Sequence, residues 1–216
     1  MKKIISLILL VPLIALAQPK KDLAKGAFEP PFKIAATLNV LSFADIYLPT
    51  IQTGIVFSIN KKIINELDFG VPIHYKGFFD SLPNWFTHFK IKNSVMHVIG
   101  KRMFYVGVVL FYTHLNRFDK YGKYQDDNGK YDYQSAEWKK EIFGYGIKGE
   151  KYFRCSKRIL FDLSVTLGQR FVNAKIYPKM VNPNPTMAAD FVNWFPKTGN
   201  FTTPHYELGF KVVYKF

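Results

Sequence analysis

The sequence has one cysteine and, after its first 17 residues, no long apolar run. Cys155 stands alone, so an intramolecular disulfide framework is excluded. No apolar stretch reaches the ~20 residues that a membrane-spanning helix requires. The mean hydropathy of -0.05 also argues against several such helices. These absences exclude a disulfide-rich scaffold and a helical membrane protein.

Acidic residues are scarce, because 16 Asp and Glu stand against 30 Lys and Arg, for a formal net charge of +14. A basic chain can bind nucleic acid when its cations form a patch or a basic helix. Here the lysines are scattered along the chain, and no recognition motif accompanies them. We therefore expect no nucleic-acid partner.

Motifs for metals and cofactors are also missing, since the chain has no zinc-ligand spacing and no phosphate-binding glycine loop. Asp126-Asp127-Asn128-Gly129 is similar to an acidic calcium loop. However, Tyr124 and Ser135 occupy the first and last ligand positions, where acids are needed. Asn-Gly after two Asp is ordinary turn chemistry. We predict a turn there, with no metal and no cofactor.

No catalytic residue is predicted either. A Ser-His-acid hydrolase needs a base beside its nucleophile and a third group that orients the base. His205 and Glu207 share a face near the start of one alternating segment, and Ser164 belongs to the polar face of another. No recognisable nucleophile elbow accompanies them.

The N-terminus carries the pattern of an export signal. Lys2 and Lys3 precede an apolar core at 4–14, and Ala15-Leu16-Ala17 is a small-x-small cleavage site. We predict a signal peptide over 1–17, a mature chain that starts at Gln18, and a periplasmic lead-in over 18–31.

The rest of the chain alternates between apolar and polar residues with the period of two that is typical of strands. The clearest example is 205–216, with apolar or aromatic residues at Tyr206, Leu208, Phe210, Val212, Tyr214 and Phe216. The opposite parity holds His205, Glu207, Gly209, Lys211 and Lys215, with Val213 as the exception. One face therefore suits lipid and the other suits a polar interior.

Eight such segments are predicted, at about 32–41, 50–59, 63–74, 89–99, 103–115, 138–152, 158–171 and 205–216. In the first, Phe32 and Ile34 are placed opposite Lys33 and Thr37. The faces of 89–99 and 103–115 are ambiguous. Short connections at 60–62, 100–102 and 153–157 alternate with long ones at 42–49, 75–88, 116–137 and 172–204. Such alternation is typical of membrane barrels, with short periplasmic turns and long extracellular loops.

A soluble β-barrel is the alternative, but it would place its apolar face inside. We predict an all-β fold, an eight-stranded antiparallel transmembrane β-barrel of up-and-down topology over 32–216. An eight-stranded interior is just wide enough to be filled by side chains.

Three features give the chain its resemblance to a known group. They are Phe32-Lys33-Ile34-Ala35-Ala36-Thr37-Leu38-Asn39-Val40-Leu41, Phe143-Gly144-Tyr145-Gly146-Ile147-Lys148-Gly149 and Tyr214-Lys215-Phe216. With these the chain resembles the small eight-stranded outer-membrane β-barrel proteins of Gram-negative bacteria. The resemblance implies a cell outer-membrane location and this fold, and it implies no chemistry.

Two sets of residues follow from these patterns. The barrel interior is expected to hold a paired charge network formed by Glu66, Asp68, Lys148, Asp162, Arg170, Glu207 and Lys211, with Glu150 on the same face. An assembly signal is expected at Phe210, Val212, Tyr214 and Phe216.

The expected function is a structural role, or partner or ligand binding through extracellular loops, without catalysis. The aromatic residues of 77–89 and 191–201 are candidates for such loops or for the membrane interface. The alternatives are a lipid-modifying outer-membrane enzyme (deacylase or acyltransferase) and a narrow small-solute channel. Expected partners are outer-membrane lipid, lipopolysaccharide phosphates and the outer-membrane assembly machinery, and the expected state is a monomer.

Overall fold

The computed structural model describes residues 32–41, 50–72, 85–99, 103–182 and 197–216. Over these residues the chain is all-β, and the strands are β1 (Ile34–Asn39), β2 (Thr50–Ser58), β3 (Ile63–Pro72), β4 (Trp85–Ile99), β5 (Phe104–Gln125), β6 (Lys130–Arg154), β7 (Ile159–Asn182) and β8 (Gly199–Lys215). No helix within these ranges is long and apolar enough to cross a membrane. The predicted signal peptide, the lead-in and the connections at 42–49 and 100–102 lie outside the described residues.

The eight described strands form one antiparallel sheet that closes in a ring. Each strand pairs with the next along the chain, and β1 pairs with β8 to close the ring. The predicted all-β, antiparallel, up-and-down connectivity is confirmed. The ring has a turn end, where β2–β3 and β6–β7 are joined, and a hairpin end, where β5 and β6 meet at residues 126–129.

The strands extend further toward the hairpin end than the sequence predicted. Residues 116–137 and 172–204 were expected to be long connections, but β5, β6, β7 and β8 continue through much of them. The strict alternation of long and short connections is therefore wrong at β5–β6, where four residues make the turn. The Asp126 side chain accepts hydrogen bonds from the backbone amides of Asn128 (2.8 Å) and Gly129 (3.0 Å), as in an Asx turn.

The predicted aromatic loops also need correction. Trp85, Phe86 and Phe89 lie within β4, and Phe201 lies within β8. The remaining aromatic residues of those two segments lie outside the described residues. These strand ends, like those at the hairpin, carry polar residues on both faces. The alternation that predicts a strand is therefore weak there.

In most strands the side chains point into or out of the ring as the alternation predicted. The exception lies at the start of the first segment. Phe32 is buried and Lys33 is exposed, the reverse of the prediction. The reason is that β1 begins only at Ile34, so the alternation does not reach back to Phe32. The two ambiguous segments are now assigned: Lys92 and Ser94 of β4, and Tyr105 and Val109 of β5, lie on the buried inner face.

An apolar layer fills the interior at the turn end. Its buried members are Phe32, Ala35, Val56, Ile64, Met96, Val98, Tyr105, Tyr152, Leu160 and Val213. The Tyr152 ring meets those of Phe32 and Tyr105 edge to face, with centroids 5.4 and 5.5 Å apart. Val213, the exception in the polar parity of β8, belongs to this layer. Aromatic packing thus seals the turn end of the ring.

Candidate functional site

Above the apolar layer the ring encloses charged side chains that alternate in sign. Lys211 of β8 contacts Glu66 and lies 2.7 Å from Asp68 Oδ2, both on β3. Lys148 of β6 contacts Glu66 and Glu150. Each of these five side chains is at most 2% exposed, so the burial of each charge is offset by a partner of opposite sign.

The alternation continues toward the hairpin end through β4. Lys92 Nζ lies 3.8 Å from Asp68 Oδ2 and 2.6 Å from Glu207 Oε1. Lys90 Nζ lies 3.3 Å from the other oxygen of Glu207, and His205 Nε2 lies 3.4 Å from it. The interior ladder is therefore the series Glu150, Lys148, Glu66, Lys211, Asp68, Lys92, Glu207 and Lys90. It joins β3, β4, β6 and β8 across the ring.

Five of the seven predicted network residues belong to this ladder: Glu66, Asp68, Lys148, Glu207 and Lys211. The other two do not. Asp162 of β7 is fully buried in the same region, but neither of its carboxylate oxygens has a hydrogen-bond partner among the described residues. Arg170 lies closer to the hairpin end, where its Nε donates to Thr203 Oγ1 at 2.6 Å.

The sequence prediction missed Lys90 and Lys92. The signal was present, because Phe89-Lys90-Ile91-Lys92 alternates with period two and continues to the inward-facing Ser94. Asn93 obscured it, since a polar residue on the outward parity broke the pattern. In the structure the Asn93 side chain accepts a hydrogen bond from Asn65 Nδ2 at 2.8 Å.

One group of carboxylates within the described residues has metal-ligand proximity. Oxygens of Glu66, Glu150 and Asp162 lie within 4.8 Å of one another. Lys148 already contacts Glu66 and Glu150, and Lys211 contacts Glu66. Because ammonium groups occupy this cluster, we assign no metal to it.

The histidine with the best catalytic context is His205. Its ring packs on Phe111 with centroids 4.3 Å apart, and its Nε2 faces Glu207. The neighbour of His205 on β7 is Gly168, whereas Ser164 is paired with Gly209. Within the described ranges, no serine hydroxyl is hydrogen-bonded to His205, so the arrangement does not form a Ser-His-acid triad.

A second cluster of ionisable groups lies inside the hairpin end, around the buried Trp138. Arg117 Cζ lies 5.8 Å and Lys140 Nζ 5.0 Å from the centroid of the indole. Arg117 also pairs with Asp119 at 2.7 Å. The indole Nε1 donates to Tyr133 Oη at 3.0 Å.

The Tyr133 hydroxyl in turn lies 3.4 Å from Asp119 Oδ2. Trp138 thus anchors the hairpin by one hydrogen bond and two cation-π contacts.

The predicted assembly-signal residues alternate outward on β8. Tyr214 and Phe216 are exposed and meet edge to face at 5.7 Å, and Phe210 stacks on Phe161 of β7 at 5.5 Å. Comparison with known proteins adds nothing to these assignments, because no protein-family model and no curated protein matches the chain.

Proposed function

We propose that the chain is a transmembrane β-barrel of the outer membrane of a Gram-negative bacterium, without catalysis, whose hairpin end has a structural or ligand-binding role. One observation carries the proposal: beyond the apolar layer at the turn end, the ring is charged inside and apolar outside. Leu208 is 71% exposed on the outer face, while Lys211 on the same strand is 1% exposed. This polarity is the inverse of a soluble barrel and fits a lipid solvent.

The outer face carries an apolar belt between two levels of aromatic residues. The aliphatic members of the belt include Val106, Val108, Leu110, Ile147, Leu163, Val165, Leu167, Leu208 and Val212. Toward the hairpin end they are followed by Tyr112, Phe143, Tyr145, Phe171 and Tyr206, and toward the turn end by Phe104, Phe153, Phe161 and Tyr214. Aromatic girdles on both sides of an apolar band are the pattern of barrels at a membrane interface.

The height of the belt fits a bilayer. From Phe161 to Phe171 the strand advances ten residues, or ~33 Å at ~3.3 Å per residue. A strand tilt of ~40° reduces this to ~25 Å along the membrane normal, the height of the apolar band of outer-membrane barrels. In β6 the corresponding span runs from Phe143 to Phe153. Residues Lys130 to Ile142 of the same strand extend beyond this span toward the hairpin end.

A groove on the outer face supports contact with lipid. Its volume is about 420 Å³, and its walls include Tyr112, Phe143 and Phe171 at the girdle near the hairpin end. Polar groups of Glu141 and Asn200 line the groove with them. An acyl chain against the rings and a headgroup beside the polar side chains match this lining.

The contents of the ring support a plug rather than a channel. The apolar layer closes the turn end, and the interior ladder follows it within the membrane-spanning height. An ion would have to break buried pairs and then cross aromatic side chains. We therefore place the narrow channel below a structural or binding role. The lipid-modifying enzyme also ranks below that role, because within the described residues His205 has no serine partner.

Fractionation and gel mobility test the proposal. The mature chain is expected in the outer-membrane fraction and to migrate faster on SDS gels before boiling than after it. Leu167→Lys, in the middle of the belt, is expected to impair insertion, because Lys at a bilayer midplane costs ~2–4 kcal/mol. Lys175→Met, beyond the belt, serves as the control. A wild-type protein that remains soluble without detergent and shows no heat-dependent mobility contradicts the proposal.

A further inference from the structure

Three basic side chains, those of Arg117, Lys140 and Arg170, lie on the inner face toward the hairpin end, and among the described residues one carboxylate, that of Asp119, pairs with them. Arg117 and Lys140 both lie within 6 Å of the Trp138 ring centroid, and both flank the inner face of the ring. Arg170 of β7 has the same inward parity and is held by its hydrogen bond to Thr203, and the positive charges of Arg117 and Arg170 both lower the pKa of Lys140. Among the described residues, Asp119 is the acid that offsets the charge of Lys140, and it is paired with Arg117.

The imbalance leaves hydrogen-bond donors unused. Within the described part of the chain, Lys140 makes no ion pair, and the one hydrogen bond of Arg170 goes from Nε to Thr203. The Nε of Arg117 is buried without a hydrogen-bond partner. The Nζ of Lys140, the terminal nitrogens of Arg170 and the Nε of Arg117 are thus donors without an acceptor among the described residues.

We propose that this site binds a dissolved phosphate group, held between Arg117, Lys140 and Arg170. The inference deepens the ligand-binding role proposed above and rests on it for access from outside the cell. A tetrahedral oxyanion presents several acceptor oxygens, which matches the terminal nitrogens of Arg170, the unused Nε of Arg117 and the point charge of Lys140.

The competing explanation is that the cations are satisfied by the indole alone. A cation-π contact attracts the positive charge, but the ring accepts no conventional hydrogen bond from the remaining N–H groups. It also leaves Arg170 out, because Arg170 faces Thr203 rather than Trp138. An anion neutralises all three groups, whereas the indole attracts two of them.

The source of the phosphate follows from the facing of the side chains. Arg117, Lys140 and Arg170 have the parity of the inner face, whereas lipid meets the outer face. A phosphate or phosphorylated solute from the medium can enter through the hairpin end, but a lipid phosphate on the outer surface meets the outward Lys139 and Lys175 instead. We therefore infer that the ligand is a dissolved phosphate and not a lipid phosphate.

The test is an NMR titration of the full mature barrel in a neutral maltoside detergent, with inorganic phosphate as the probe. The Trp138 indole N–H resonance, assigned with Trp138→Phe, is expected to shift saturably with phosphate and not with chloride at equal ionic strength. Lys140→Met and Arg170→Gln are each expected to weaken binding at least tenfold, a loss of ~1.4 kcal/mol or more, because each removes a charge-assisted hydrogen bond to the anion. Lys175→Met, at the same height on the outer face, is expected to leave it unchanged.

Several results overturn the inference. They are equal shifts with phosphate and chloride, equal weakening by Lys175→Met and Lys140→Met, or binding of lauryl phosphate micelles without binding of inorganic phosphate. Each variant is first checked for heat-modifiable mobility, which shows that it has folded. If either Lys140→Met or Arg170→Gln fails to fold, the other variant alone tests the site. A barrel that inserts but does not bind phosphate contradicts this inference alone. A protein that binds phosphate but fractionates as soluble contradicts the membrane proposal alone.

Discussion

Lys211 contacts Glu66 across the interior of the ring, although their strands are not neighbours in the sheet. β8 and β3 are separated by β1 and β2, so this pair crosses the barrel at the place where the ring closes. The same ammonium group lies 2.7 Å from Asp68 Oδ2. One side chain therefore holds two carboxylates of β3, both nearly inaccessible to water.

Removal of the Lys211 charge is the first test of the interior ladder. Lys211→Met keeps the length of the side chain but leaves Glu66 with one lysine and Asp68 with a more distant one. A buried charge that loses its partner typically costs ~3–5 kcal/mol, so the free energy of unfolding in lipid vesicles is expected to fall by that amount. Urea titration followed by gel mobility measures it.

The matched control is Lys151→Met, which removes an exposed lysine from the outer face of β6. Its expected effect on the free energy of unfolding is within ~1 kcal/mol. An equal loss in both variants would show that overall charge, rather than the contact with Glu66, governs stability.

Asp162 is expected to behave differently from its acidic neighbours. The interior ladder already balances four carboxylates with four lysines, and both oxygens of Asp162 are buried without hydrogen bonds. Asp162→Asn removes an unbalanced charge at nearly constant volume, so unfolding free energy is expected to be unchanged or to rise by ~1–2 kcal/mol. Glu66→Gln, which breaks contacts with two lysines, is expected to lower it by ~2 kcal/mol or more. A loss for Asp162→Asn as large as for Glu66→Gln would contradict this assignment.

The alternation of apolar and polar residues was enough to predict most of the fold. It predicted few of the contacts between side chains of the interior ladder. The faces of β8 could be predicted because the side-chain period of a strand is two, so Leu208 and Lys211 must lie on opposite sides. The contact of Lys211 with Glu66 could not be predicted, because it depends on how the ring closes and on the stagger between strands that are not neighbours. Local sequence does not encode that stagger.

The hairpin end was missed for a different physical reason. Beyond Phe143 the outward residues of β6 are Glu141, Lys139 and Glu137, so both faces are polar and the apolar signal vanishes. The strands continue there because cross-strand contacts hold them, including the stacking of Tyr124 on Tyr131 with centroids 5.0 Å apart. The cluster around Trp138 lies in this part of the chain, which is why none of its residues was a candidate.

The hydroxyl of Tyr133 is expected to matter for the stability of the hairpin end. It accepts the hydrogen bond of the buried Trp138 indole, and Tyr133→Phe leaves that N–H without a partner. The expected loss is ~1–3 kcal/mol of local stability, seen as faster hydrogen exchange of the β5–β6 amides.

Tyr145→Phe is the matched control for that variant, because the Tyr145 hydroxyl bonds to Gln169 at 3.0 Å on the exposed outer face. Its exchange rates are expected to stay close to those of the wild type. Equal exchange in the two variants would show that the Trp138 hydrogen bond does not hold the hairpin.

The protonation of Lys140 gives the phosphate site a dependence on pH. Lys140 lies beyond the membrane span proposed for β6. Burial, aided by the positive charges of Arg117 and Arg170 and opposed by Asp119, lowers its pKa from 10.5 to about 8. Because the folded pKa lies below that of the unfolded chain, the folded state favours neutral Lys140. Its unfavourable contribution is absent above pH 10.5, grows as the pH falls to about 8 and is complete below that value.

In phosphate-free buffer, Lys140→Met is therefore expected to stabilise the barrel relative to the wild type by ~1–2 kcal/mol at pH 7, allowing for solvent screening, and by little at pH 11. Saturating phosphate favours the charged amine, so it is expected to remove most of this difference at pH 7. Urea midpoints of both proteins at the two pH values, with and without phosphate, measure the effect. A difference between the two proteins that is the same at pH 7 and pH 11 would contradict the lowered pKa, and a difference at pH 7 that phosphate leaves intact would contradict the phosphate site.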